Sequence, residues 1–307
     1  MIKMPKPATI LQLLRQAFGE FKQNDPLRMA AATAFFATFA MPAIFIILIQ
    51  VFGLVINPRF IGHSLVEALA QVIGPNSAAE VRYTLRNVRH LASTWYIATG
   101  GFIFLLFVST TLFKVIKDSV NQLWRIRIVN GRGFVSQLKQ RGVSFMVILL
   151  AGVFFLATLL VEGGVALVRE QLGTVLPGKE AVVWSVFSQL ISLAVVTGWF
   201  SILFRFLPDG HTSLRITIGG AFFTALLFTL GKFLLRFLLS YSNMSTVYGT
   251  STSFVLMLLF IFYCAFIFYY GSCFLKVWAI HKEEPIVPDQ HAESYTWQQV
   301  RTETLDG

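Results

Sequence analysis

Long charge-free apolar runs alternate with short polar segments along the whole chain. Five runs are clear: Ala31 to Ile56, Thr94 to Phe113, Val143 to Val161, Ala181 to Phe204 and Ser253 to Leu275. At about 1.5 Å per residue, roughly 20 such residues cross a hydrocarbon core about 30 Å thick. A sixth run, Ile216 to Gly231, continues through Lys232 into Phe233, Leu234 and Leu235 and reads as one span ending near Leu235. The pattern predicts an all-α, polytopic membrane bundle of six transmembrane helices, with short amphipathic helices at its surfaces.

Shorter periodic segments surround the spans. Ile10, Leu11, Leu14, Ala17, Phe18 and Phe21 recur at helical spacing behind Pro7, which predicts an amphipathic helix on the inner membrane surface. Asn24, Asp25 and Pro26 then restart the chain, with Asp25 placed to cap span one and Pro26 in its first turn. Between spans one and two, Ser77 to Glu80 has capping-box spacing, and a stripe of Val81, Leu85, Val88 and Leu91 faces a second stripe of Arg82, Arg86 and Arg89. That segment is an interfacial helix or a lid over the outer mouth. Phe113, Ile116, Val120 and Leu123 carry a helical stripe beyond span two, and Leu207-Pro208-Asp209-Gly210 reads as a tight turn between spans four and five. Three units follow: an N-terminal amphipathic helix over 1–25, a transmembrane domain over 26–279, and a flexible tail over 280–307, where six of the fifteen acids and two prolines replace apolar patterning.

Composition agrees with the pattern: 55% apolar and 13% charged residues, at a mean hydropathy of +0.68, leave too little polar surface for a water-soluble core of this size. Lys and Arg divide seventeen to seven between the two sets of connecting segments, which places both termini in the cytoplasm. The net charge of +10 is thus largely a topological signal, and its remainder suits anionic lipid headgroups rather than nucleic acid. The first apolar run starts after residue 30 and lacks a small-residue cleavage site, unlike a cleaved secretory signal.

Enzymatic chemistry has little to stand on. His63, His90, His211, His281 and His291 are scattered over loops and tail, the internal loop from Lys114 to Gly142 carries one acid, Asp118, and no phosphate-cradling glycine loop is present. No cofactor or metal is expected. Cys264 and Cys273 lie nine residues apart in one span, about 13 Å, too far for a disulfide, and read as packing residues. Within the spans, Lys232 is the charged residue, near the outer rim, with Arg236 one helical turn further on. Snorkelling explains Lys232, as does binding of a phosphate or carboxylate by the pair. Thr33, Thr38, Gln50, Ser185, Ser188, Gln189, Ser192, Thr217 and Thr224 read chiefly as hydrogen-bonding groups between helices, with Gln189 also a candidate path-lining residue. Pro42 is a hinge candidate, and Tyr241, Tyr248 and Gly249 suit an aromatic belt or a substrate mouth.

Several of these residues resemble landmarks of the YihY/BrkB membrane proteins, a family once labelled ribonuclease BN. The segment from Ala30 through Phe35 and Phe36 to Pro42 is similar to the family's first-span motif, and Asn121 with Trp124 matches the next landmark. Arg205, Leu207 and Pro208, then Gly220, Ala221 and Lys232, then Tyr241 with Tyr248-Gly249 follow in the family's order. The family often has serine at Ala40 and tyrosine at Phe35, and commonly Gly-Ala-Glu where this chain has Gly271-Ser272-Cys273. The resemblance implies six spans in a bacterial inner membrane and brings suggestions of envelope lipid transport and serum resistance.

The leading functional reading is a transporter or facilitator for an anionic lipid or amphiphile in envelope biogenesis. Lys232, Arg236, Tyr248 and Gln189 would be its substrate contacts, Pro42 its hinge, and Arg82, Arg86 and Arg89 its outer lid. The alternatives are a non-transporting scaffold docking an envelope partner through the internal basic loop, and, further off, a ribonuclease. Membrane lipids are the expected partners; a second copy of the chain or an envelope protein stays open.

Overall fold

The computed structural model describes residues 7–52, 95–129, 180–241 and 252–296, with isolated positions at 62–64, 66–67, 79, 82–83, 146, 150 and 153–154. The helices are α1 (Pro7–Gln23), α2 (Pro26–Phe52), α3 (Trp95–Trp124), α4 (Glu180–Phe206), α5 (Leu214–Tyr241) and α6 (Thr252–His281), joined by the short strands β1 (Ile126–Ile128), β2 (Gly210–His211), β3 (Val287–Pro288) and β4 (Ala292–Ser294). Of these, Phe187–Phe206 in α4, Leu214–Phe233 in α5 and Phe254–His281 in α6 are long and apolar enough to cross a membrane by length and composition. The protein is a mostly helical membrane bundle. The third apolar run lies largely outside the described residues, as do the capping box and most of the arginine stripe. At its described positions 146, 150, 153 and 154 the backbone is helical.

Local chemistry sets the helix boundaries. Asp25 takes a left-handed φ of 50°, a conformation that Asp tolerates better than most residues. Its carbonyl accepts the Met29 N–H at 3.2 Å, and Pro26 opens α2 as the sequence predicts. The chain runs helically through Pro42 to Phe52 without a break. The second apolar run and its polar extension form one helix of 30 residues, α3. It ends where Arg125 turns left-handed at φ 57° and donates its N–H to the Gln122 carbonyl at 3.1 Å.

Helix α6 is the centre of the packing. α1, α2, α3 and α5 all lie against it, while α4 pairs with α5 as an antiparallel hairpin. Tyr269, Cys273, Leu275 and Ala279 of α6 have no exposed surface, and Phe204 of α4 stacks on Phe268 at 5.0 Å. Phe154, from the third run, packs against Gly198 and Trp199 of α4. α1 docks on α6 through Leu13, Ala17 and Phe21, with the Phe21 ring edge-on to Phe266 at 4.8 Å. This corrects the predicted stripe: Leu11 and Phe18 are 70% and 56% exposed, and Leu13 takes their place in the core. One turned helix can offer six apolar residues, but only the face that meets α6 is buried.

The tail is a second correction. Residues 282–296, predicted to be flexible, fold back across the loop end of the bundle. β3 pairs antiparallel with β2, Gly210 facing Pro288, and β4 pairs with β1, Ile126 facing Ser294. Ile286 and Ala292 pack on the core. Strands this short are held by backbone bonds that leave no hydrophobic period in the sequence.

Polar groups inside the bundle mostly serve their own helices. Thr38, Thr217 and Thr224 donate to carbonyls four residues back, whereas Thr33 crosses over to the Tyr269 hydroxyl at 2.6 Å, and the Tyr263 and Tyr270 hydroxyls cross to the Leu227 and Leu14 carbonyls. Close approach of α5 and α6 depends on glycine. A Cβ at Gly231 would lie 1.2 Å from the Tyr263 hydroxyl oxygen, and one at Gly271 would lie 1.9 Å from Thr224 Oγ1. Gly19 of α1 has open space around it. Thermal melts in detergent therefore order three variants: Gly231→Ala and Gly271→Ala lose about 1–3 kcal/mol through overpacking, whereas Gly19→Ala gains up to about 1 kcal/mol from helix propensity. Equal effects at all three would refute the close-packed α5–α6 seam.

Candidate functional site

The described residues form two polar centres, one deep in the loop end and one towards the opposite end of α5. In the first, α1, α3 and α6 converge on a charge network. Lys276 projects from α6 with its side chain 9% exposed, and its Nζ donates to Glu20 Oε2 at 2.8 Å and to the Leu123 carbonyl at 3.0 Å. Arg125, just past the end of α3, donates to both Glu20 oxygens at 2.9 and 3.1 Å. Nearby, Trp124 Nε1 donates to the Ser272 carbonyl at 3.2 Å, and the Asn24 amide donates to the Glu20 carbonyl at 2.7 Å. Burial pushes the Glu20 carboxyl up, but the hydrogen bond and charge of Lys276, with those of Arg125, outweigh it and hold the group below its ordinary range.

A second cluster adjoins it. Asp209 in the α4–α5 turn pairs with Lys117 at 2.7 Å, both side chains 12% exposed. The Asn121 amide donates to Asp209 Oδ2 at 2.8 Å and its oxygen accepts the Asp209 N–H at 2.9 Å. The Asp209 carbonyl accepts the Asp289 N–H at 3.0 Å, so the turn holds α3 on one side and the returning tail on the other. Arg205 donates to the Thr212 carbonyl and Ser213 to Glu284, tightening the same corner.

Periodicity did not single out Glu20, Asp209, Lys117 or Lys276. Signals existed: Glu20 sits beside the buried Leu13–Ala17–Phe21 face, and Lys117 and Asn121 are four residues apart on the apolar extension of α3. Nothing in the sequence says that they meet.

Of the predicted site residues, Lys232 is half-buried on α5, with its Nζ 5.4 Å from the centre of the Phe228 ring. Gln189 is exposed on α4. The hairpin brings these two to one level: Gln189 lies seventeen residues before the end of α4 and Lys232 eighteen after the start of α5, each about 26 Å along its helix. Arg236 belongs to the last turns of α5 with its side chain outside the described residues, and Pro42 is within α2 on the same terms. Arg82 is exposed, while Arg86, Arg89 and Tyr248 fall outside the described residues.

A profile of the family described as Virulence factor BrkB matches residues 17–295. The chain belongs to the BrkB family. A UPF0761 membrane protein of Pseudomonas paraeruginosa is 25% identical over 267 residues, covering 85% of this chain and 61% of the relative. Others come from Teredinibacter turnerae, 23% identical with 89% and 61% covered, and from a Psychrobacter species, 22% identical with 83% and 46% covered. The chain spans about three fifths or less of the length of these relatives. No solved structure matches. This BrkB-family protein is an integral membrane protein, and three of the residues that carried the resemblance are structural joints: Asn121 grips Asp209, Trp124 ties α3 to α6, and Gly220 lies against Leu275. Cys273 is wholly buried, and the carboxylate beside Lys276 comes from α1.

The lowered Glu20 value fixes a sign. Its contribution to stability is complete above the ordinary carboxylate value of 4.5 and is lost as pH falls through the lower folded value. Melting temperature in detergent should fall in that acid window for the wild type. Glu20→Gln should melt lower at neutral pH and lack that part of the acid decline. Parallel pH profiles for the two proteins would rule out the assigned role.

Proposed function

We propose that the protein is a six-span transporter or facilitator for an anionic lipid or amphiphile in a bacterial inner membrane, with both termini cytoplasmic and no enzymatic activity of its own. One observation carries the reading: Lys232 lies half-buried within an apolar membrane helix, over the Phe228 ring. Counted from Arg215, it stands about 25 Å along α5, near the outer rim of a core about 30 Å thick. An ammonium there attracts an anionic headgroup while acyl chains follow the exposed apolar faces of α4 and α5, among them Leu190, Phe222, Leu226, Leu230 and Phe233. Gln189 at the same level offers a neutral hydrogen-bonding partner. In this scheme Arg236 and Tyr248 complete the headgroup contact, Pro42 is the hinge, and Arg82, Arg86 and Arg89 guard the outer mouth. Relatives named as membrane proteins support the setting. The docking alternative keeps the exposed Lys114 and Arg127 of the internal basic segment but loses Lys117, which is paired with Asp209 inside the fold.

Two experiments test the proposal. Reconstituted into liposomes, the wild type should move phosphatidylglycerol analogues between leaflets faster than phosphatidylcholine analogues. A Lys232→Ala, Arg236→Ala double variant should be slower by about tenfold or more, since charge-assisted bonds contribute about 1.5–3 kcal/mol; undiminished flux removes the assigned site. For topology, reporters placed at residues 24 and 307 should report cytoplasm, and those in the segments after the first, third and fifth apolar runs the opposite side. A reporter at either terminus reading the outer side overturns the orientation.

A further inference from the structure

The Glu20–Arg125–Lys276 cluster contains two cations and one carboxylate, and its place along α6 matches the depth of the phosphates for a helix spanning a bilayer. α6 has 30 residues, about 45 Å, the thickness of a bilayer with its headgroup regions included. Lys276 is five residues, about 8 Å, from the end of that helix, one turn after Ser272, whose carbonyl Trp124 bonds, and two residues before Trp278, so both tryptophans, a residue type that favours the headgroup level, stand at about its height. The Arg125 geometry leaves room for another acceptor. Both of its bonds to Glu20 leave from Nη2, so none of the described bonds uses Nε or Nη1, and the side chain is 29% exposed. A guanidinium fork matches phosphate oxygens well, and here half of it is uncommitted. The outward face of α1 adds an approach surface: Leu11, Arg15, Phe18 and Lys22 are exposed at helical spacing, an apolar and basic stripe of the kind that rests on an anionic leaflet.

We propose that Arg125 and Lys276 form a binding site for the phosphate of an anionic amphiphile, which the Glu20 carboxylate partly occupies as an intramolecular stand-in. The site is at the opposite end of the bundle from Lys232 and does not depend on the transport reading. Glu20 and the incoming phosphate compete for the same donors, so the carboxylate sets the affinity.

Thermal stabilisation of the full-length protein in detergent by added phosphatidylglycerol, phosphatidylcholine or inorganic phosphate tests this. For the wild type, phosphatidylglycerol should stabilise more than phosphatidylcholine. Glu20→Gln should bind phosphatidylglycerol about tenfold more tightly, and Arg125→Gln should lose the preference, with Arg125→Lys between. Equal stabilisation by inorganic phosphate at the same concentration, enlarged in Glu20→Gln, supports the site and assigns it to soluble phosphate. A merely structural ion cluster predicts that Glu20→Gln and Arg125→Gln both lower stability with no change in lipid preference, and that result overturns the proposal. Should Arg125→Gln fail to fold, Glu20→Gln decides alone: unchanged or weaker phosphatidylglycerol binding refutes it.

Discussion

An ammonium buried on a helix as apolar as α6 has to be given acceptors, and meeting that requirement organises the loop end of the molecule. Lys276 takes two, the Leu123 carbonyl near the end of α3 and the Glu20 carboxylate from α1. The first stabilises a helix end that would otherwise leave carbonyls unsatisfied, and the cation also opposes the negative end of the helix dipole. The second ties an amphipathic helix to the bundle at one defined register. Removing one member of such a buried pair leaves the other without compensation, a cost on the order of 3–5 kcal/mol, so the three helices are coupled through one side chain.

The same logic repeats at the α4–α5 turn. Asp209 is buried, and its oxygens and backbone engage Lys117, Asn121 and the tail. Each centre uses charge to join elements that the lipid does not drive together. Helices inside a membrane gain little from apolar burial against one another, because acyl chains are as apolar as leucine side chains. The glycine-mediated contact of α5 with α6 and the two polar joints supply specificity instead. The tail strands complete the closure, linking β1 after α3 to β2 after α4 through a single returning segment.

This arrangement leaves the two ends of the bundle chemically different. At one end the charges are numerous and mutually engaged, with one cation more than the carboxylate needs in the Glu20 cluster. Towards the other, Lys232 sits in apolar surroundings against an aromatic ring. A protein that handles amphiphilic anions needs such polar positions against a continuous apolar exterior, and the exposed leucines and phenylalanines of α4 and α5 provide that exterior.

The amino-acid sequence by itself determined the membrane class, the helices over the apolar stretches at 31–52, 181–204 and 253–275, the restart at Asp25-Pro26 and the continuity of α3, because these follow from local hydropathy, length and capping. It also contained the family, through the order of landmarks such as Asn121, Trp124 and Gly220. Only the tertiary structure decided which side of α1 is core, that Asp209 turns inward, that residues 282–296 return as strands, and that Glu20, Arg125 and Lys276 meet. The reason is physical: hydropathy is a property of neighbouring residues, whereas an ion pair between positions 20 and 276 depends on which helix faces which, and that information exists only once the chain is packed.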